Sequence, residues 1–321
     1  MKTLKRSLPI LLGLGLLVWI LSKNDMKGAF DLLRKTDLVL VTLGFAALLL
    51  MIYIKGVRWS FLLRMQGHRY PVWDCFLIYL NSLFWGNVTP GRAGDFIKIL
   101  YLKEDLKHST GYAMASVFVD RVFDLYILLV LGALGLMLYP LPGDPNLVRA
   151  VEVFFAVLIL VSILVLNRKV GGGVLKFVFQ KMMGEGLKAR TDKAFEDFHR
   201  GMESYYRPSI LYPVLLTVVS YLSFFWGCQQ MALSLGIGIN ILYLAFVVSV
   251  VNIVSLVTFA GFGTREGALI FLFGIVSLTD AQALAYSTLI FVVGVLMISL
   301  AGFLAYLAKP IRWKKGVPEA D

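Results

Sequence analysis

The long apolar stretches of this 321-residue chain constrain its fold more than any other feature. Several of them approach the ~20 residues that a helix needs to cross the hydrocarbon core of a bilayer. Hydrophobic residues make up 59% of the sequence. Charged residues make up only 16%, against about 25% in soluble domains. Because no backbone amide can be left unpaired in lipid, spanning segments must be helices. The sequence therefore predicts an all-α, polytopic transmembrane helix bundle.

The apolar runs predict a single integral membrane domain over residues 1–321, with about six full spans. The segment 167–209 alternates charged and apolar residues at helical spacing, which predicts a basic amphipathic connection along the cytoplasmic interface. The N-terminal run has a basic start like a secretory signal but no small-x-small cleavage site, so we interpret it as the first span. The predicted spans lie at 8–22, 38–54, 111–139, 147–166, 211–235 and 281–307.

Two further apolar stretches, 72–89 and 241–260, each run into a glycine-rich charged break. The first break is "TPGRAGD" (89–95) and the second break is "AGFGTRE" (260–266). After each break only about a dozen mostly apolar residues follow, too few to cross a membrane at ~1.5 Å per residue. We therefore predict two re-entrant hairpins, near 72–107 and 241–278.

The distribution of basic residues predicts which side of the membrane each connection faces. Placing the basic clusters in the cytoplasm leaves the sparsely charged connections 140–146 and 236–240 outside, and only the 23–37 connection disagrees. Both termini are then cytoplasmic, and the two hairpins must enter from opposite sides as inverted copies. The basic clusters are the N-terminus, the 55–71 connection with Lys55, Arg58, Arg64 and Arg69, the 167–209 segment, and the C-terminal tail.

Interrupted apolar segments at matching places in two halves indicate a transporter site formed by half-helices. In each break an arginine lies close to glycines, so a planar guanidinium fork, free backbone amides and the positive end of a half-helix would converge. This pattern predicts a phosphate-binding site. Its predicted substrate-binding residues are Arg92, Arg265, Asn87, Gly91 and Gly263.

Five further charges lie within or beside apolar runs, where an ionised side chain is costly unless it is paired. In "DRVFDL" (120–125), Asp120 and Asp124 share a helix face, and Arg121 can approach Asp124. We expect these residues to hold the arginines and hairpins in place. The alternative is a purely structural set of ion pairs that clamps the hairpins to the bundle. The predicted supporting residues are Asp95, Glu266, Asp120, Arg121 and Asp124.

Three motifs together resemble the lysylphosphatidylglycerol synthase transmembrane-region family, also described as flippase-like membrane proteins. They are "NVTPGRAGDFIK" (87–98), "DRVFDL" and "GFGTREGAL" (261–269). In two-domain members a soluble aminoacyl-transfer domain follows the membrane part, whereas this chain ends eleven residues after Pro310. The resemblance implies a stand-alone membrane module that binds or moves a lipid or lipid-linked headgroup, and we expect no synthase activity.

The favoured function is therefore a flippase-like protein that translocates a phospholipid or lipid-linked headgroup. A secondary transporter of a small anionic solute and a non-transporting assembly factor are the alternatives. No catalytic His–Cys or Ser–His constellation is evident, so we expect no enzyme activity. Cys75 and Cys228 lie in apolar segments without CxxC spacing, and no histidine has a ligand-spaced neighbour. We expect neither a metal nor a cofactor.

The net charge of +11 does not predict a nucleic-acid partner. Its Lys and Arg residues lie between apolar runs, where they act as topology signals and contact anionic headgroups. The expected partners are membrane lipids, above all an anionic phospholipid or lipid-linked headgroup, and not nucleic acid. The expected location is the cytoplasmic membrane of the cell.

Overall fold

The computed structural model describes residues 15, 18–89, 94–107, 109–139, 188–255, 258 and 261–311, with isolated positions between 149 and 160. Most of the predicted spans 8–22 and 147–166 lie outside these residues. A π-helical turn, Phe291–Met297, joins the last two helices into one rod. In the described part the helices are α1 (Met26–Arg34), α2 (Leu38–Met65), α3 (Val72–Val88), α4 (Ile97–Leu106), α5 (Thr110–Leu138), α6 (Lys188–Glu203), α7 (Leu211–Ser234), α8 (Ile241–Val254), α9 (Thr264–Ile275), α10 (Asp280–Ile290) and α11 (Ile298–Ala308).

The described elements are all helical, which confirms the predicted all-α membrane bundle. Within the described ranges, four helical segments are long and apolar enough to cross a membrane: Leu38–Met65, Thr110–Leu138, Pro208–Ser234 and Asp280–Ala308. The last three agree with the predicted spans 111–139, 211–235 and 281–307 to within a few residues.

One predicted boundary is wrong. Helix α2 does not end at residue 54 but continues to Met65, so Lys55 and Arg58 are helical and buried rather than part of a loop. No proline or turn sequence interrupts the helix there, and both cations find carboxylate partners inside the bundle. These two residues are therefore not topology signals.

Short polar side chains start several helices by capping free backbone amides. The Asp37 carboxylate accepts from the Val39 N–H at the start of α2, and the Asn240 side chain accepts from the Leu242 N–H at the start of α8. Ser109 caps α5 and Thr279 caps α10 in the same way. Local sequence thus fixes where these helices begin, and packing of their apolar faces fixes their positions.

The same order of elements occurs twice in the chain. A long helix, two shorter helices and a second long helix follow one another as α2 to α5, and again as α7 to the α10–α11 rod. In each half the two shorter helices are separated at a predicted break: α3 ends at Val88 before the first break, and α9 begins at Thr264 within the second. The breaks therefore interrupt both halves at equivalent places.

In each half the two shorter helices form a hairpin whose ends lie together. Lys309 Nζ lies 3.1 Å from Asp74 Oδ2 near the start of α3 and 3.1 Å from Asp105 Oδ2 near the end of α4. In the second hairpin, the Tyr243 hydroxyl near the start of α8 donates to the Leu272 carbonyl near the end of α9, at 2.5 Å. The course of these hairpins through a membrane stays a prediction.

The two hairpins open at opposite ends of the bundle. Lys309, at the open end of α3–α4, follows the last residue of the α10–α11 rod. The open end of α8–α9 lies beside the start of that rod, because only a short turn separates Ile275 from Asp280. This end also adjoins the end of α5, where the rings of Tyr139 and Tyr243 pack edge to face at 4.8 Å.

Equivalent helices of the two halves run in opposite directions. Helices α2 and α7 pack along most of their length. The Ser223 hydroxyl donates to the Ala47 carbonyl at 2.9 Å, and Arg58 Nη1 donates to Thr217 Oγ1 at 2.9 Å. Later residues of α2 thus meet earlier residues of α7, so the pair is antiparallel. An inverted repeat has this arrangement.

The last helix of each half packs against the first short helix of the other. Helix α11 crosses α3 at Gly302, where a Cβ would overlap the Leu80 carbonyl oxygen. Helix α5 crosses α8 at Gly135, where a Cβ would overlap the Phe246 ring. These two reciprocal crossings, each with a glycine on the longer element, are what an approximate two-fold relation between the halves would produce.

Part of the 167–209 segment is helical as α6, which packs on α5. The contact has an aromatic centre, because the buried Phe198 ring lies edge to face with Phe118 at 5.8 Å. Gly111 allows the close approach of the two helices, since a Cβ there would overlap the Ala194 carbonyl oxygen. The cytoplasmic position of this segment stays a prediction.

The Gly302 crossing gives a stability prediction. Gly302→Ala should lower the free energy of unfolding by about 1–3 kcal/mol, because the new methyl group meets backbone that cannot move aside. Gly274→Ala is the matched control: its Cβ meets nothing within 4 Å, so it should be neutral or slightly stabilising. Unfolding in mixed detergent micelles measures both. Equal stability of the two variants would contradict the tight crossing.

Candidate functional site

Seven charged side chains form a connected set inside the bundle, which we call the charged network. They come from α2, the first break, α4 and α5, and each lies within 4.0 Å of an oppositely charged member. At ~1.5 Å per residue, the members on α2 and α5 lie well inside those long helices and not at their ends. Ionised groups at such depth are costly unless paired. The members are Lys55, Arg58, Asp95, Lys98, Asp120, Arg121 and Asp124.

Asp120 is the centre of the network and is fully buried. Its Oδ1 accepts from Arg58 Nη2 at 2.7 Å and from Arg58 Nε at 3.0 Å, so the guanidinium donates two hydrogen bonds to a single oxygen. Its Oδ2 accepts from Lys98 Nζ at 3.1 Å and from the Tyr79 hydroxyl at 2.8 Å. Both carboxylate oxygens are thus bonded, and four helices, α2, α3, α4 and α5, meet at one residue.

Asp124 lies one helical turn further along α5 and shares the Arg58 side chain. Arg58 Nη2 lies 3.0 Å from Asp124 Oδ1, and Lys55 Nζ lies 3.0 Å from the same oxygen. Lys55 also lies over the Tyr221 ring of α7, 4.5 Å from its centroid. Because both carboxylates reach Arg58, Asp120 and Asp124 face the same side of α5, and the network extends to α7.

Arg121 joins the first break to the network. Its Nη2 lies 3.1 Å from Asp95 Oδ2, while its Nη1 is 4.0 Å from Asp124 Oδ2. The predicted contact with Asp124 is therefore longer than the one with Asp95. The Asp95 carboxylate lies against Gly86 of α3, where a Cβ would be 2.5 Å from Oδ1.

A threonine holds the described ends of the first break together. The Thr89 hydroxyl donates to the Trp85 carbonyl at 2.8 Å and accepts from the Gly94 N–H at 2.6 Å. Gly94 is required at this point, because a Cβ would overlap the Trp85 backbone. This packing places Asp95, the next residue, beside the end of α3.

The second break carries its own charged group, the second-break cluster of Arg265, Glu266 and Ser287. Arg265 Nε and Nη2 donate to Glu266 Oε1 at 3.0 and 2.5 Å, and Nε also lies 2.8 Å from Ser287 Oγ. Glu266 Oε2 accepts from the Gly263 N–H at 2.8 Å. Gly263 has φ of 77°, in the left-handed region that favours glycine. The Arg265 side chain lies over Phe291, at the start of the π-helical turn.

The two breaks are held in similar ways but differ in charge. The carboxylate that ends each break is bound by the last long helix of its own half: Asp95 by Arg121 of α5, and Glu266 by Ser287 of α10. A threonine hydroxyl bridges each break, because Thr258 Oγ1 lies 2.7 Å from Thr264 Oγ1 in the second. The second-break cluster, however, pairs one cation with one carboxylate.

The predicted substrate-binding residues are only partly described. Arg92 and Gly91 lie outside the described residues. The Asn87 side chain donates to Ser299 Oγ of α11 at 3.0 Å. Arg265 is buried with Glu266, and among the described residues no ion pair joins it to the charged network. The structure thus gives Arg265 and Asn87 partners within the protein, and their contact with a substrate stays a prediction.

Sequence reasoning missed Lys55, Arg58, Lys98 and Tyr79. A signal was present for the cations, because "MIYIKGVRWSFLLRM" continues at helical spacing past residue 54 and Lys98 lies in the apolar run "FIKILYL". Charges inside an unbroken apolar helix predict buried partners. Tyr79 carries no such signal, since a tyrosine in an apolar helix is compatible with simple packing.

A smaller polar group closes the open end of the first hairpin. It joins Lys309 to Asp74 and Asp105, and the Tyr101 hydroxyl donates to the Lys309 carbonyl at 2.6 Å. The Tyr70 hydroxyl donates to Asp105, and burial together with that carboxylate raises the pKa of Tyr70 above its usual range. The 66–71 connection and Lys309, where the basic tail begins, therefore lie at the same end of the bundle.

Comparison with known proteins identifies the family. Residues 7–302 match the family described as "Lysylphosphatidylglycerol synthase TM region". The chain belongs to this family. The lysylphosphatidylglycerol synthase transmembrane-region match includes the whole charged network and both breaks. A similar relative is a UPF0104 membrane protein of Methanocaldococcus jannaschii, 21% identical over 331 residues that cover 98% of each chain. No solved structure matches significantly. Family membership and the apolar helices make this an integral membrane protein.

The network gives a second stability prediction. Arg58→Met should lower the free energy of unfolding by about 3–5 kcal/mol, because buried carboxylates lose their shared guanidinium. Arg200→Met is the control: the Arg200–Glu196 pair of α6 is more than half exposed, so the loss should stay below about 1 kcal/mol. Unfolding in mixed micelles compares the variants. A similar small loss for both would mean that Arg58 contributes no more than a surface ion pair.

Proposed function

We propose that this protein binds a phospholipid or lipid-linked headgroup and translocates it across the membrane. The observation that carries the proposal is the composition of the charged network. Its four cations face three carboxylates inside apolar helices. A surplus of positive charge is unfavourable in a low-dielectric interior, and an anionic headgroup would balance it. The family's name refers to a phospholipid, which also supports a lipid substrate.

The paired hairpins support translocation over static binding. We propose that α3–α4 enters the membrane from the cytoplasmic side and α8–α9 from the outside, so that both breaks lie near the midplane. Hairpins that open at opposite ends and antiparallel equivalent helices support this arrangement. Inverted repeats of this kind provide alternating access in transporters. The 66–71 connection shares one end of the bundle with Lys309, where the basic tail begins, which supports cytoplasmic termini and a location in the cell membrane.

The predicted headgroup contacts are part of the proposal. Arg92, with Gly91 beside it, would meet the phosphate at the first break. Arg265 would contribute only when its ion pair with Glu266 opens, as would Asn87 when it releases Ser299. We propose binding and movement of the lipid without covalent chemistry.

Reconstituted liposomes test the function. Purified protein should increase the rate at which a headgroup-labelled phosphatidylglycerol in the inner leaflet becomes accessible to an impermeant quencher. Uptake of radiolabelled glycerol phosphate should not rise, because a lipid substrate enters from the bilayer. Uptake of the soluble anion without lipid movement would favour the solute transporter, and absence of both would contradict transport.

Cysteine labelling tests the hairpins. In a Cys75→Ala/Cys228→Ala background, Ala93→Cys and Ala260→Cys should react slowly with an impermeant maleimide, because both breaks lie at depth. Control cysteines at His68 and Asn146, in connections on opposite predicted sides, should react quickly from the cytoplasmic and outer side respectively. If the two break positions react as fast as the controls, each from an opposite phase, the re-entrant hairpins are excluded.

A further inference from the structure

We propose that Arg121 is the cation that binds the phosphodiester group of the substrate, and that Asp95 is the counter-ion that the phosphodiester displaces. This inference rests on the proposed function and names the site that recognises the headgroup. It assigns direct ligand contact to a residue that the sequence predicts only as a supporting charge.

The described arginines of the two charged groups differ in how fully their donors are used. Arg58 is fully buried, and its Nε, Nη1 and Nη2 all donate to protein oxygens. Arg265 is also buried and donates from Nε and Nη2. Arg121 instead leaves 26% of its side chain exposed, and neither Nε nor Nη2 makes a hydrogen bond to a described residue. The Nε and Nη2 atoms are themselves buried, so Arg121 is the arginine with an unsatisfied donor edge.

The contact between Arg121 and Asp95 is close but poorly aligned. Their charged atoms lie 3.1 Å apart, yet Nη2 counts among the buried donors without a hydrogen bond. Asp95 is 5% exposed, and its Oδ1 has no donor among the described residues. Both partners therefore retain hydrogen-bonding capacity that this ion pair does not satisfy. A buried pair in this state is one that a better-shaped anion could replace.

The two non-ester oxygens of a phosphodiester match the geometry of Arg121 Nε and Nη2, the two donors without a hydrogen bond to a described residue. A guanidinium binds such oxygens through two parallel N–H bonds, and Nε and Nη2 form one of its forks. Trp85, whose backbone packs on Gly94 of the same break, also has a buried indole N–H without an acceptor among the described residues. A second unsatisfied donor thus belongs to the residue whose backbone packs against the first break.

The charge of the network selects a singly charged anion. Asp120 and Asp124 are each held by two basic side chains within 3.1 Å, whereas Asp95 pairs with Arg121 alone among the described residues. One added negative charge would balance the four cations. A phosphodiester carries one such charge, either in a membrane phospholipid or in a soluble glycerophosphodiester.

Binding measurements in detergent test the site without requiring transport. Arg121→Gln should weaken the binding of phosphatidylglycerol about tenfold or more, because a charge-assisted pair is lost. Arg121→Lys should also weaken it, since lysine keeps the charge but not the fork. Asp95→Asn should strengthen it, because the competing carboxylate is gone. Arg200→Gln, on the exposed face of α6, should leave it unchanged.

The Asp95→Asn variant separates the proposal from a purely structural role. If Asp95→Asn weakens binding as much as Arg121→Gln does, the two residues only hold each other, and the proposal is wrong. A rise in affinity supports it even if Arg121→Gln fails to fold, which thermal unfolding of each variant would reveal. Competition by soluble glycerophosphoglycerol would identify a free phosphodiester as a sufficient ligand. If glycerophosphoglycerol does not compete, the ligand must be the intact lipid. Either result is compatible with the Arg121 site.

The liposome assay then separates this inference from the proposed function. If the wild-type protein moves phosphatidylglycerol while Arg121→Gln binds it normally, the Arg121 site is excluded and the function stands. If binding depends on Arg121 but no lipid moves, the site stands and translocation is excluded.

Discussion

The ion pair between Arg58 and Asp120 is the interaction on which the rest of the structure depends. It joins α2 to α5 with no exposure to the surroundings. Through Thr217 it reaches α7, and through Tyr79 and Lys98 it reaches the hairpin α3–α4. Charges removed from water are tolerated only when every partner is in place. The positions of five helices are therefore coupled to one buried carboxylate.

This coupling makes the two halves unequal although their helices follow the same plan. The first hairpin is tied to the bundle by Lys98 and Asp95, which bind residues of α5. The second hairpin is held largely by apolar packing, with the second-break cluster as its charged contact. An inverted repeat with one highly charged half has a preferred place for an anion. A substrate would therefore meet different surroundings at the two breaks.

Sequence alone predicted the parts of this architecture that depend on local chemistry. Apolar length predicted the spans near 111–139, 211–235 and 281–307, and glycine-rich charged segments marked the places where both hairpins break. The prediction from sequence was wrong at Lys55 and Arg58, because membrane spans commonly end where a lysine follows an apolar run. What kept these residues inside α2 was Asp120 and Asp124, over 60 positions further along the chain. A local pattern can indicate that a buried charge has a partner, but it does not identify a residue at that distance.

The charged network has a sealed part and an open part, and this division suits a site that must attract an anion and then release it. The sealed part, around Arg58 and Asp120, has its donors bonded and supplies a fixed positive field. Such a field is preorganised, so it needs no rearrangement when a charge arrives. The open part, Arg121 with Asp95, supplies bonds that can exchange. A fully sealed network would hold the bundle together but leave no edge for a ligand, whereas a fully open one would not fold in lipid.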